Sequence, residues 1–318
     1  MFGIYIHIPF CETICPYCDF CSLAPHEVSA EFVASYPKML VRELELHFLL
    51  RPWLRSKLVD TIYFGGGTPS TLEARAYEPF IEALRNHFVF SRALEMTLEA
   101  NPGTLSPDKL ASFREIGVTR LSVGVQSFDD SMLKVLGRNH TSAQIREAIK
   151  MVRDADFFSW SLDLMFAAPE QSLELWRREL DEVVATDAPH VSIYNLTLHE
   201  GTPYHAANQK GLLRFPDEET QRSMFQEMRE RLVAAEYEHY EISNFARAGH
   251  ESRHNQNYWR GGDFLGLGLS AHSSLDEERF AVTESPQDYS RSLERGELPV
   301  TELPQSEGRA RFGEAMML

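Results

Sequence analysis

Long apolar runs are missing from this sequence. Nowhere do the roughly 18 uninterrupted apolar residues of a membrane span occur, and the first residues show no basic region leading into an apolar stretch and a small-residue cleavage site. A chain that spans a membrane is therefore not expected, and the cytoplasm is the expected location. Basic charge is scarce too. With 31 Lys and Arg against 47 Asp and Glu, the net charge of -16 works against non-specific attraction to phosphate backbones, so nucleic acid is not an expected partner. Cysteine is scarce as well: there are four, all between Cys11 and Cys21. None of them can staple distant parts of a chain this long, which excludes a disulfide framework and makes the group read as a metal site in a reducing compartment. Internal repeats and low-complexity segments are likewise absent.

What is present is apolar surface, 43% of residues, enough for a sizeable core in a chain longer than one typical domain. Short β-rich runs alternate with stretches of helical periodicity, the pattern of βα units and a parallel sheet. The expected strands are Ile4–Ile8, Thr61–Phe64, Leu94–Glu99, Arg120–Val125, Ser161–Phe166 and Val191–Leu196. Helices are expected near 30–49, 74–88, 107–116, 129–136 with 142–154, 172–185 and 217–235. Ser106-Pro107-Asp108 supplies an N-cap and a proline at the first helical position, whereas Pro37 should kink or delay the first helix. Six such repeats close only part of a barrel, and in these sheets the chemistry sits at the carboxyl ends of the strands. The reading is an α/β chain: residues 1–240 form a partial (βα)6 TIM-type barrel, and residues 241–318, rich in His, Asn, Tyr and Gly at their start, form an appended region packed against the barrel mouth. Residues 308–318 read as helix-competent without a stop signal, so the C-terminal region is expected to be truncated.

The first strand runs straight into Cys11-Glu-Thr-Ile-Cys15-Pro-Tyr-Cys18-Asp-Phe-Cys21. Three thiolates on one loop can converge on a cubane, and a cluster with three protein ligands leaves one iron open to a small molecule. The same spacing also suits a tetrahedral zinc ion. Cys21 is a fourth ligand, an alternative ligand or a small buried hydrophobe. Gly65-Gly66-Gly67-Thr68-Pro69 follows the second strand, where residues without Cβ let backbone groups approach a ligand, although such a triplet is by itself a turn. Glu99 and Gln126 end the third and fourth strands and can hydrogen-bond hydroxyl or amino groups at the mouth, or serve as loop caps. Arg138 can form a fork with a carboxylate or lie solvated at the surface. Asp163, a carboxylate on an apolar strand, needs a partner and so suggests a site.

Cys-x3-Cys-x2-Cys preceded by Tyr5-Ile-His7-Ile-Pro9-Phe10 resembles the radical S-adenosylmethionine superfamily, and within it the group that contains oxygen-independent coproporphyrinogen III oxidase and the heme chaperone HemW. The resemblance runs from Tyr5 to about Ser273, with several independent motifs in order. It implies a [4Fe-4S] cluster on Cys11, Cys15 and Cys18. It also implies S-adenosylmethionine held by Tyr5, Tyr17, Gly66, Gly67, Thr68, Glu99, Gln126, Arg138 and Asp163. One departure is Ala167-Ala168-Pro169, where the family usually has Gly-Leu-Pro after the fifth strand.

The oxidase branch carries a further cysteine two residues after the third, and that position here is Phe20, as in the chaperone branch. Arg253-His254-Asn255-Gln256-Asn257-Tyr258-Trp259 matches the chaperone branch's His-Asn-x-x-Tyr-Trp motif, which is associated with heme binding there. Chemically, a neutral His254 can ligate heme iron and the Tyr–Trp pair offers flat surface; the bland reading is a hydrogen-bonded turn. His272 is a second polar candidate near the same place. The expected function is a heme chaperone that binds heme and passes it to acceptor hemoproteins, transient contact with membrane hemoproteins and homodimers being compatible with it. The alternative is coproporphyrinogen III oxidation by radical chemistry in porphyrin biosynthesis, and the weakest reading is a zinc-stabilised barrel with neither activity.

Overall fold

A computed structural model describes residues 1–276 and 278–302. The expectation for residues 308–318 lies outside the described residues. Six βα units come first: β1 (Phe2–Ile8), α1 (Ala30–Leu50), β2 (Leu58–Gly66), α2 (Ala74–His87), β3 (Val89–Ala100), α3 (Pro107–Ile116), β4 (Arg120–Gln126), α4 (Asp130–Val135), α5 (Ser142–Asp154), β5 (Ser159–Phe166), α6 (Leu173–Thr186) and β6 (His190–Asn195). These follow the expected elements within a few residues, except that β3 begins five residues early. Local signals explain the boundaries. The hydroxyls of Ser29, Ser106 and Ser172 each accept a backbone N–H at the start of their helices, and Thr141 with Gln144 closes a capping box. Gly117, with φ of 109°, ends α3 in the left-handed conformation.

Pro37 lies inside α1 and does not delay its start at Ala30. Its lost hydrogen bond costs roughly 3 kcal/mol, but Tyr36, Leu40, Leu44, Leu46 and Phe48 are all buried along the same helix, each worth about 1.5–3 kcal/mol. Packing therefore outweighs propensity.

After β6 come α7 (Pro203–Gln209), α8 (Glu218–Ala234), β7 (Glu238–His239), β8 (Asn244–Ala246), α9 (Arg253–Trp259), β9 (Asp263–Leu267), β10 (His272–Leu275), β11 (Glu278–Val282), α10 (Pro286–Glu294) and β12 (Val300–Glu302). The described strands form one sheet in the order β12-β11-β10-β9-β1-β2-β3-β4-β5-β6-β8-β7. Strands β1 to β6 are parallel and in chain order. Among the described residues β1 and β6 do not pair with each other: β1 pairs in parallel with β9, and β6 antiparallel with β8. The late strands thus lengthen the sheet at both edges. Among the described residues, no helix is long and apolar enough to cross a membrane.

The two faces of the parallel strands differ in chemistry. Met96, Leu98, Leu121, Val123, Leu162, Leu164, Val191 and Ile193 are buried in the apolar core. Their alternates Thr97, Glu99, Arg120, Ser122, Ser161, Asp163, His190 and Ser192 line a cavity instead. A packed barrel fills that interior with bulky branched side chains; small and polar ones leave a chamber.

One buried acid ties the edge of the sheet together. Glu43 on α1 is fully buried, and its Oε2 accepts from the Gly268 N–H (2.9 Å) and the Tyr289 hydroxyl (2.7 Å). Its Oε1 lies 4.0 Å from His47 Nε2, and neither atom has a hydrogen-bond partner among the described residues. Burial pushes the Glu43 carboxyl up to about 7 and the His47 imidazole down to about 3. A carboxyl raised in the fold stabilises fully below its ordinary value of 4.5, and that stabilisation is lost as pH rises through about 7. Wild type is therefore expected to lose on the order of 2 kcal/mol more than Glu43→Gln between about pH 5 and pH 8 in urea melts, whereas equal losses would mean that Glu43 is ionised in the fold.

Candidate functional site

The chain leaves β1 through Ile8, Pro9 and Phe10, and the cysteine loop is fastened there by backbone hydrogen bonds. Gly67 N donates to Ile8 O (2.9 Å), Thr68 N to Phe10 O (2.8 Å), Leu23 N to Pro9 O (2.7 Å) and Cys11 N to Leu23 O (3.1 Å). His7 Nε2 bonds the Cys21 carbonyl (2.7 Å) from below, and its Nδ1 meets the Tyr5 hydroxyl (3.1 Å). The glycines are required by this closeness. Gly66 has φ of 104°, and a Cβ there would stand 2.4 Å from His7; a Cβ on Gly67 would stand 2.7 Å from the Pro9 backbone.

The cavity opens at this loop, has a volume of about 440 Å³ and runs down to Ser252 and Asn255. Cys11, Cys15 and Cys18 line it, with Tyr17, Gly66, Gly67, Thr68, Glu99, Gln126, Arg138 and Asp163. Cys21 turns the other way, packing against the core with Sγ 3.9 Å from Glu284 O. Burial pushes the Cys18 thiol up to about 11, so a cation is needed to make it a thiolate at neutral pH. Among the described residues no three His, Cys, Asp or Glu side chains are grouped to hold one metal ion.

Above the thiols, Arg138 extends Nη1 to Cys15 Sγ (3.4 Å) and Nη2 to Gly124 O (3.1 Å). Glu99 accepts from the Tyr63 hydroxyl (2.7 Å) and Gly66 N (3.2 Å), and burial lifts its carboxyl to about 7 despite those bonds. Asp163 accepts from Ser122 Oγ (2.8 Å) and Ser161 Oγ (3.4 Å), its carboxyl also raised by burial. Gln126 adopts φ of 68° at a register slip between β4 and β5. Buried polar atoms of lining residues, among them Thr97 Oγ1, Arg138 Nε and His190 Nδ1, have no partner among the described residues. Each such orphan costs about 1–3 kcal/mol, so the wall is built for a polar guest. This donor set fits a nucleoside-like ligand with an amino acid end beside a cluster.

Two expected contacts lie elsewhere. Tyr5 does not line the cavity; it stacks on Tyr63 (6.2 Å) and steadies His7. His254 is completely buried at the amino-terminal side of the sheet rather than at the mouth, because α9 packs on β1, β2 and β9. Its Nδ1 bonds Thr61 Oγ1 (2.8 Å), its Nε2 bonds the Tyr258 hydroxyl (2.7 Å), and its ring stacks on Tyr63 (5.1 Å). Burial lowers it to about 3, so it is neutral with both nitrogens engaged. Its neighbours Ser252 and Asn255 face the cavity floor instead. His272 is exposed on β10. Sequence reasoning missed His7, Tyr63 and the deep wall of Thr97, Arg120 and His190; for His7, Thr97 and Arg120 the signal was even spacing from Tyr5, Glu99 and Gln126, already chosen.

The model of the Radical SAM superfamily matches residues 5–183. The chain is 34% identical to the heme chaperone HemW of Lactococcus lactis, over 87% of this chain and 70% of that one. It is 36% identical to the heme chaperone HemW of Escherichia coli, over 86% and 70%. The chain belongs to the HemW family of the radical SAM superfamily. Its HemW-type relative from Mycobacterium tuberculosis is 34% identical over 100% of this chain and 80% of its own length. The coproporphyrinogen III oxidase HemN of Escherichia coli, described as a radical SAM enzyme, superposes with a TM-score of 0.82 over 99% of this chain and 74% of that one. At 22% identity that likeness speaks for the fold. Membership in the radical SAM superfamily brings a [4Fe-4S] cluster and S-adenosylmethionine.

Local geometry makes two substitutions opposite in sign. Gly67→Ala is expected to cost about 1–3 kcal/mol through its clash with Pro9, and to weaken S-adenosylmethionine binding in calorimetry. Ala167, at φ of 59° where the family has glycine, is expected to gain about 1 kcal/mol on Ala167→Gly. Equal melting temperatures for both variants would refute this account of the loops.

Proposed function

We propose that this protein is a heme chaperone of the HemW type: it binds heme and hands it to acceptor hemoproteins, with a [4Fe-4S] cluster on Cys11, Cys15 and Cys18 and S-adenosylmethionine beside it. The observation that carries the reading is Phe20, 67% exposed on the rim where the oxidase branch has a cysteine. In our reading Arg138 and Glu99 take the charged ends of the cofactor's amino acid part, Gly66, Gly67 and Thr68 lie along it, and Tyr17, Gln126 and Asp163 hold the remainder, while Tyr5 acts through His7. In our reading the cluster and the cofactor occupy the cavity beside the cysteine loop, and heme is carried at the rim, where Phe20 is exposed.

We read residues 1–240 as the cofactor-binding core and 241–318 as the region added to it, His254 being the pin that holds α9 across the base. A cytoplasmic location, delivery to membrane hemoproteins by transient contact and a homodimeric state accompany the proposal. A second reading, coproporphyrinogen III oxidation, is favoured by the complete set of groups facing the cofactor, which a carrier alone does not require.

Anaerobic reconstitution followed by iron and sulfide analysis tests the cluster assignment. Wild type and Cys21→Ala are expected to hold about four irons, as a cubane requires, and Cys18→Ala fewer. Loss of iron in Cys21→Ala, or zinc without sulfide in wild type, would overturn it. Heme retention by the loaded protein tests the function, and its failure would leave the oxidase reading in place.

A further inference from the structure

We propose that His199 is the axial ligand of the heme, an inference that rests on the chaperone reading. His199 lies in the loop after β6, and its Nδ1 pairs with Asp19 Oδ2 at 2.9 Å, both side chains being nearly half exposed (46% and 42%). Facing a carboxylate, Nδ1 is the ring nitrogen that donates, which leaves Nε2 as the nitrogen open to a ligand. Among the described residues nothing bonds Nε2. A histidine that ligates a metal typically donates its other ring N–H to a carboxylate, which sets the tautomer and the ring orientation.

The surroundings suit a porphyrin. Ile14, Phe20 and Tyr194 share the cavity rim with His199 and Asp19, and all three are exposed, Phe20 by 67%. Exposed aromatic and aliphatic side chains of this size beside an open imidazole give one face of a flat apolar macrocycle something to lie on. His254 offers the opposite: complete burial and two engaged nitrogens. Asp19 also follows Cys18 directly, so the loop that would hold the cluster carries the residue that aims the imidazole.

The test is hemin titration of the cluster-loaded full chain, read by its Soret band and by ferric heme electron paramagnetic resonance. Wild type is expected to give the signature of histidine-ligated heme. His199→Ala should lose that signature, and the heme that stays with the protein through gel filtration should regain it when imidazole is added, with the variant's melting temperature unchanged. Asp19→Asn should weaken binding by about 10–100-fold, the usual effect of losing a ligand's carboxylate partner. His254→Ala should keep the wild-type heme spectrum while melting at lower temperature. An unchanged spectrum and affinity in His199→Ala, or a loss that imidazole does not rescue, would overturn the ligand assignment and leave the chaperone reading standing. Wild type that binds no heme would overturn both.

Discussion

The site depends on the way β1 ends. Ile8, Pro9 and Phe10 expose carbonyls that the N–H groups of Gly67, Thr68 and Leu23 take up, so the cysteine loop and the glycine loop are joined through one short piece of backbone. Nothing larger than hydrogen fits at Gly66 and Gly67 without displacing His7 or Pro9. His7 completes the joint from beneath by holding the Cys21 carbonyl. Three thiols that must meet a single cluster are thus positioned by the most regular part of the fold and not by the loop itself.

The second constraint is the polarity of the sheet's inner face. Replacing branched aliphatic residues by Thr97, Ser122, Ser161, Asp163, His190 and Ser192 sacrifices hydrophobic burial along the strands. The cost is partly offset by hydrogen bonds between neighbouring strands, as between Ser122, Ser161 and Asp163. What remains unpaired faces the chamber, where a ligand completes it. Stability and cofactor binding are therefore coupled: the loaded protein should be the more stable one.

The parallel core was readable because its strands are short apolar runs followed by helices, most of them with a side-chain cap, and both signals are local. The motif residues were readable because the strands' carboxyl ends are where loops of fixed chemistry gather. The rest depends on contacts far apart in sequence. Pro37 survives within α1 because of what Tyr36 and Leu40 pack against, which no window around Pro37 contains. Similarly, His254 and Asn255 are neighbours in one motif, yet one is locked behind Tyr63 and the other faces the cavity. A one-residue step on a helix turns a side chain by about 100°, so the motif alone could not say which of them meets a ligand. His199 carried no motif, and its pairing with Asp19 joins segments that only the folded sheet brings together.

The most direct test of the account is heme transfer. Protein loaded with cluster, S-adenosylmethionine and heme is mixed anaerobically with an apo b-type cytochrome, and a parallel sample receives coproporphyrinogen III. The account predicts that heme moves to the cytochrome and that the porphyrinogen is left unchanged. Decarboxylation of the porphyrinogen without heme transfer would contradict it.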